Sequence, residues 1–448
     1  MKRWVASRFT VRASTVDDRL ILWNTYSGSL SVFEPKVRPL IERMLAGGGI
    51  EGRRRGAIQF LADRGFLVEK GTDEYRRYQY AFSKQHNDAG RLHLLLLASE
   101  DCNFRCKYCY EEFARGTMEP RVRTGVKRYL ERRIAGLKQL FVEWFGGEPL
   151  YGLEAIEDIA PFAMELAKER GVSYSSKVTT NGYLLTPEVF DKLLRWNVRG
   201  YQISLDGTPE HHDCNRPTRD GRGTFAVIFQ NLVEMKRRSE PFLVSLRVNF
   251  DRENAGDLGR FLDMAAAEFS GDPRFQLNFR PVGRLGGPND AQLAVCGSQE
   301  AIDLDLELRE EARRRGLQLL DSIHHARGLG SQVCYAARPY SFLIGATGKV
   351  MKCTVDLDTK DRNVVGHLAE DGEMQLDDDK MALWTEPAFE HDSNCQKCFV
   401  LPACQGLSCP LVRWDNGRSP CPTVKTTFKA EMRQAAGDFA IRTAATSD

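Results

Sequence analysis

The chain has 448 residues, more than one hydrophobic core usually organises, so two or three domains are expected. Hydrophobic residues at 42% and charged residues at 28% fit an ordinary globular protein, and 63 basic against 61 acidic residues leave no global field for nucleic acid or anionic membrane. The basic stretch Met1 to Arg8 has no apolar run behind it, and the longest apolar run, Leu92 to Ala98, is strand-sized, so a cytoplasmic protein without a membrane segment is expected.

Residues 1–85 read as strands followed by helices. Phe9–Ala13, Leu20–Trp23 and Leu30–Phe33 are short β-prone runs, and helices follow from about Pro35 to Leu45 and from Gly52 to about Arg64. The charged, weakly periodic stretch Gly71 to Gly90 reads as a linker. From Arg91 to about Gly287 strand and helix patterns alternate six times, with strands at Leu92–Ala98, Leu140–Trp144, Ser175–Thr180, Gly200–Leu205, Phe242–Asn249 and Phe275–Arg280. Repeated βα units imply a parallel sheet with right-handed crossovers, and six of them suit an open, partial (βα)6 TIM-like barrel of α/β class, with functional residues just after the strands. Cys102 to Cys109, Gly146-Gly147-Glu148-Pro149, Thr180-Asn181-Gly182 and Asp206-Gly207 follow the first four strands, which places four polar or glycine-rich signals on one rim. A Glu- and Arg-rich helix from about Ser298 to Arg315 reads as part of a connector, its charge run a solvated face, and from about Gln332 the chain becomes cysteine-rich. The expected domains are thus residues 1–85, a small α+β winged-helix-like module; 86–290, the partial barrel; 291–330, the connector; and 331–448, the cysteine-rich domain.

Twelve cysteines in a reducing compartment point to clustered thiolates that hold metal and away from a disulfide framework. Cys214 and Cys296 stand alone and read as small buried hydrophobes. Cys102, Cys106 and Cys109 have the spacing Cys-x3-Cys-x2-Cys on a loop. An iron–sulfur cubane normally takes four thiolates, so three leave one iron open to chelate a small ligand. In the second group, Cys395-x2-Cys398-x5-Cys404 with the later Cys409 and Cys421, taken alone, also admits a zinc ribbon.

The three cysteines and the aromatic Tyr108 resemble the defining motif of the radical S-adenosylmethionine (SAM) superfamily. That resemblance implies that the open iron binds the amino and carboxylate groups of SAM, and that reductive cleavage releases a 5′-deoxyadenosyl radical which abstracts hydrogen from substrate. Gly146, Gly147 and Glu148 look like the family's segment that contacts the methionine amino group; glycines let backbone approach a ligand, and a carboxylate accepts from an ammonium. Asn181, Ser204 and Asp206 occupy strand ends where the family contacts ribose, with Arg216 a carboxylate partner, although Asn181-Gly182 and Asp206-Gly207 read equally as tight turns closing βα units. Beside such a core, the second cysteine group resembles the SPASM extension with two auxiliary four-iron clusters, giving three [4Fe-4S] clusters in all. By that resemblance Cys395, Cys398, Cys404 and Cys421 ligate one auxiliary cluster and Cys334, Cys353 and Cys409 the other. Where some family members have a further cysteine this chain has His324 to Ser331, so that cluster has an open iron or a ligand such as His325 or Cys296.

SPASM proteins commonly modify peptides, and the 1–85 segment resembles in pattern the peptide-recognition domain of maturases of ribosomally made peptides, which would add a leader peptide as a strand to a sheet edge. The resemblance therefore implies an oxidoreductase-type peptide maturase that forms a thioether or carbon–carbon crosslink, fed by a reductant such as flavodoxin or ferredoxin, with no nucleic-acid or membrane partner. The rival readings are an anaerobic sulfatase-maturase-like enzyme, against which Cys353-Thr354-Val355-Asp356 departs from the Cys-Asp expected there, and a passive iron–sulfur or zinc protein. The catalytic base is not identified by the sequence.

Overall fold

The computed structural model describes residues 2–113, 115–320, 328–357, 361–417 and 421–445, with side chains as far as residue 437. His325 lies outside the described residues. The chain forms two compact units: Met1–Asp88 with Asp321–Pro339 and Leu383–Asp448, and Ala89–Leu320 with Tyr340–Ala382. The span 331–448, expected as one domain, is thus divided between them.

The first unit contains two three-stranded antiparallel sheets. One has the order β5 (Ile50–Gly52), β1 (Lys2–Ala6), β6 (Leu67–Glu69); the other runs β2 (Thr10–Ser14), β3 (Leu20–Asn24), β4 (Leu30–Phe33). Trp4, Leu20, Leu22, Ile41, Leu61 and Phe66 form one buried core with the helices Arg38–Met44 and Gly56–Asp63. On the other side of β3, Ile21 and Trp23 pack with Val400, Cys404 and Met432. Strict alternation along a strand lets β3 serve both cores, since successive side chains point to opposite faces. The expected linker is instead a helix over Glu74–His86, capped by Asp73, whose side chain accepts from the Arg76 amide at 2.9 Å. Its sequence hides it because only Tyr78 and Phe82, spaced by four, are buried on an otherwise charged surface.

The second unit holds an eleven-stranded sheet. Its parallel part is β7 (Arg91–Ser99), β8 (Gln139–Gly146), β9 (Ser173–Thr180), β10 (Val198–Ser204), β11 (Leu243–Phe250), β12 (Phe275–Pro281) and a short β13 (Gln318–Leu319), adjacent in chain order. At the other edge β14 (Ser341–Ile344) pairs parallel with β7, and β15 (Lys349–Met351), β16 (Val364–Leu368) and β17 (Met374–Leu376) continue antiparallel. All six expected βα units are present. Leu94, Leu96 and Ala98 of β7 are fully buried, as are Ile156, Ile159, Ala160 and Ala163 of the helix Leu153–Glu169. An apolar run bounded by turns behaves this way when both sheet faces are covered. The connector helix spans Ser298–Arg314. Among the described residues no helix is long and apolar enough to cross a membrane.

Candidate active site

The C-terminal ends of the parallel strands carry the expected signals. Cys102 to Cys109 follow β7, Gly146 closes β8, Asn181 follows β9 and Asp206 follows β10. Cys102, Cys106, Cys109, Tyr108, Gly146, Gly147, Asn181, Ser204 and Arg216 together line one cavity of about 220 Å³. The glycines are required by close backbone approach. A Cβ at Gly146, where φ is +128°, would stand 2.0 Å from the Ser99 carbonyl, and one at Gly147 would stand 2.7 Å from the Asp101 carbonyl and 3.1 Å from Cys102 Cβ. The Gly146-Gly147 turn therefore sits flush against the root of the cysteine loop.

Two expected contact residues lie behind the cavity wall. Glu148 is fully buried and already accepts from Thr180 Oγ1 at 2.6 Å, the Asn181 amide at 2.7 Å and the Leu150 amide at 3.0 Å. Burial raises its pKa, against the opposing pull of these donors. Asp206, 1% exposed, accepts from the Tyr108 hydroxyl through Oδ2 and from the amide and side chain of Asn249 at 3.1 and 2.9 Å through Oδ1. Arg216 donates to the Tyr108 hydroxyl at 2.5 Å and stands 3.8 Å from Asp206. Burial works against the Arg216 charge, but Tyr108, Cys106 and Asp206 hold its pKa well above the usual value. Tyr108 is thus the visible end of a buried Asp206–Asn249–Arg216 network that fixes its ring.

Asn249 and Arg247, both lining the cavity from the end of β11, escaped the sequence reading. The available signal was the polar alternation Ser245, Arg247 and Asn249 along a strand whose other residues are apolar. Glu111 also escaped it: burial, then Glu100 and Glu148, raise its carboxyl to about 8.

The residues fit an iron–sulfur cluster carrying SAM. Three thiols face one cavity beside a glycine cradle, and Arg216 Nε is a buried donor with no hydrogen-bond partner among the described residues. Burial raises the pKa of all three thiols, Cys109 to about 12, so bound metal would be what ionises them. Among the described residues no three His, Cys, Asp or Glu side chains are placed to hold a single metal ion. A cubane spreads its thiolates over separate irons.

In the first unit, Cys334, Cys395 and Cys398 pack on one apolar cluster around Tyr78 and Phe389. Burial raises Cys404 to about 12, with Cys398, Cys395 and Cys421 near enough to add to the shift, and Lys425 Nζ donates to Cys421 at 3.2 Å. Cys409 immediately precedes the helix Pro410–Asn416 in that unit, at its N-cap position. Cys353 belongs to the second unit, where its amide donates to Asn363 Oδ1 at 2.9 Å. The two isolated cysteines differ from expectation. Cys214 is exposed, placed by the last turn of the short helix Pro209–Asn215 against Lys107 Nζ at 3.0 Å, and Cys296, in the loop before Ser298, is half-buried.

Comparison with known proteins adds the family. Residues 96–265 match the model of the radical SAM superfamily. Radical SAM cyclopropyl synthase TigE of Paramaledivibacter caminithermalis is 25% identical over 197 residues, 40% of each chain. The serine-type anaerobic sulfatase-maturating enzyme of Klebsiella aerogenes is 29% identical over 29% of this chain and 33% of its own, and mycofactocin maturase MftC of Mycolicibacterium smegmatis is 27% identical over 68% and 74%. The first of these relatives are thus matched over two fifths or less of their length. Native anSMEcpe with bound AdoMet and Cp18Cys peptide has the same fold, with a TM-score of 0.56 at 19% identity over 80% of this chain and all of that one. With the cysteine loop, the glycine cradle and the six-strand rim in place, residues 96–265 are a radical SAM domain.

Proposed function

We propose that the protein is a radical SAM/SPASM peptide maturase that cleaves SAM reductively to a 5′-deoxyadenosyl radical and installs a thioether or carbon–carbon crosslink in a ribosomally made precursor peptide. The convergence of Cys102, Cys106, Cys109, Gly147, Asn181 and Arg216 on one cavity is the observation that carries this reading. A cluster bound there supplies the electron that splits SAM. The chain's own part is placement. Tyr108, held by Asp206 and Asn249, positions Arg216 toward a carboxylate, and Ser204 and Asn181 offer hydrogen bonds at the neighbouring strand ends. Glu148 ties the β8 and β9 loops together and keeps lone-pair capacity for one more donor.

Two auxiliary clusters are assigned to Cys395, Cys398, Cys404 and Cys421, and to Cys334, Cys353 and Cys409. A flavodoxin or ferredoxin serves as reductant. The 1–85 module binds the leader peptide, for which β2 and β4, each with one neighbour in its sheet, offer strand edges. MftC, matched over most of its length, supports the peptide-maturase class. In the sulfatase-maturase alternative, an Asp near Cys353 would serve as base; here Asp356 is 4% exposed and ion-paired to Arg362 Nε at 3.1 Å, which speaks against that role.

The test is anaerobic reconstitution followed by dithionite and SAM. The wild type forms 5′-deoxyadenosine, whereas Cys106→Ala forms none and retains most of its auxiliary iron. Wild-type protein that binds iron and yields no 5′-deoxyadenosine would support the passive electron-carrier reading.

A further inference from the structure

Strands β11 and β12 lie side by side, with Asn249 opposite Arg280 and Arg247 opposite Asn278. Side chains of a strand alternate between faces, so Arg247, Asn249 and Arg280 share the face that lines the cavity, and Pro281 and Val282 continue that lining. Arg247 commits its Nε to Asn249 Oδ1 at 2.8 Å. Arg280, solvent-exposed, has neither a hydrogen bond nor an ion pair among the described residues. On the helix Ser298–Arg314, Arg309 pairs with Asp305 at 2.7 Å, while its Nη1 is buried with no hydrogen-bond partner among those residues. Desolvation of part of the Arg280 side chain, then Arg247 and Arg309, lower its pKa, with Asp305 opposing them. Arg247 and Arg280 thus bring two guanidinium groups to one face of the wall.

Such an arrangement is costly unless an anion completes it. Like charges held side by side on one face repel, and the Arg280 guanidinium has donors committed to no partner among the described residues. Arg216, on the cysteine side of the cavity, already supplies the cation suited to the SAM carboxylate. We propose that Arg247 and Arg280 form a second, carboxylate-binding subsite on the β11–β12 wall, which seats an acidic group of the peptide substrate beside the radical cavity. The inference rests on the peptide-maturase reading and refines it by naming the chemistry of the residue held at the site. The planar forks of arginine match a carboxylate in bidentate fashion, which also fixes the orientation of the neighbouring peptide.

The experiment uses reconstituted full-length protein and three probes: N-acetylglutamate N′-methylamide, N-acetylalanine and the neutral N-acetylglutamine N′-methylamide. Ligand-observed NMR gives their dissociation constants. At least one acidic probe binds tenfold or more tightly than the glutamine probe. The glutamate probe leading indicates a side-chain carboxylate, and N-acetylalanine leading indicates a chain terminus. Arg280→Gln brings the acidic probe to the level of the neutral one, and Arg280→Lys, which keeps the charge, retains most of the preference. The proposal is overturned if the three probes bind alike, if Arg280→Gln leaves the preference intact, or if it weakens SAM binding by the same factor, which would assign the arginine to the cofactor. Wild-type 5′-deoxyadenosine formation in the same preparation separates the two levels: its presence without an acid preference removes the subsite alone, and its absence removes the radical reading.

Discussion

Replacing Gly147 with alanine tests the link between the glycine cradle and the cysteine loop. The added Cβ would meet the Asp101 carbonyl oxygen at 2.7 Å, its carbon at 2.9 Å and Cys102 Cβ at 3.1 Å, all backbone or backbone-proximal atoms that cannot swing aside. Restoring ordinary contact near 3.4 Å requires the Asp101–Cys102 peptide to retreat by about 0.7 Å, which loosens the bond from the Glu148 amide to the Asp101 carbonyl, now 3.0 Å. Overpacking of this kind costs about 2 kcal/mol. If the whole strain falls on the cofactor-bearing loop, at 1.4 kcal/mol per tenfold, SAM binds roughly 30-fold more weakly. Gly256→Ala is the matched control, because a Cβ there meets nothing within 4 Å. Equilibrium dialysis with labelled SAM, iron content and 5′-deoxyadenosine yield are measured on both variants. Gly147→Ala binding SAM and turning over like Gly256→Ala would refute the claim that this turn sets the position of Cys102.

Three further outcomes are expected. Tyr108→Phe removes the hydroxyl that joins Arg216, Asn249 and Asp206, leaving Arg216 Nη1 without its acceptor and Asn249 with Asp206 alone, and should weaken SAM binding about tenfold in the same dialysis. Inside the barrel, burial works against the Glu143 carboxylate, but contact with His93 and Lys177 outweighs it and holds the pKa below the usual 4.5. A lowered folded pKa gives stabilisation that is complete above 4.5 and fades as pH falls through the folded value, so Glu143→Gln should lower the melting temperature more at pH 7 than at pH 3; equal losses would exclude the linkage. Trp23→Ala, at a fully buried position shared with Cys404 and Met432, should cost about 3–5 kcal/mol in the first unit and lower auxiliary iron, read by circular dichroism and iron assay.

The barrel was legible because its strands are apolar runs bounded by turns, and because the loops after them carry cysteines and glycines that no ordinary turn requires. Among the elements missed in the first unit, β5 and β6 have three residues each, below the length at which alternation can be counted, and they find their place only by pairing with β1. Burial also sorted residues that looked equivalent in sequence. Ser204 and Asp206 sit two apart at the end of β10, yet Ser204 lines the cavity while Asp206 turns inward to hold Tyr108. Arg280 passed as the last residue of a strand. Its meaning appears only when β11 places Arg247 on the same face beside it.

Strand β7 carries β8 along one edge and β14 along the other, with Leu94 facing Val142 on one side and Phe342 on the other. The segment that launches the three thiols is therefore an interior member of the sheet, unable to slide, since a one-residue slip would invert the facing of every side chain it carries. Sequence drift within the loop can then retune what is bound, while the point from which the loop departs stays anchored.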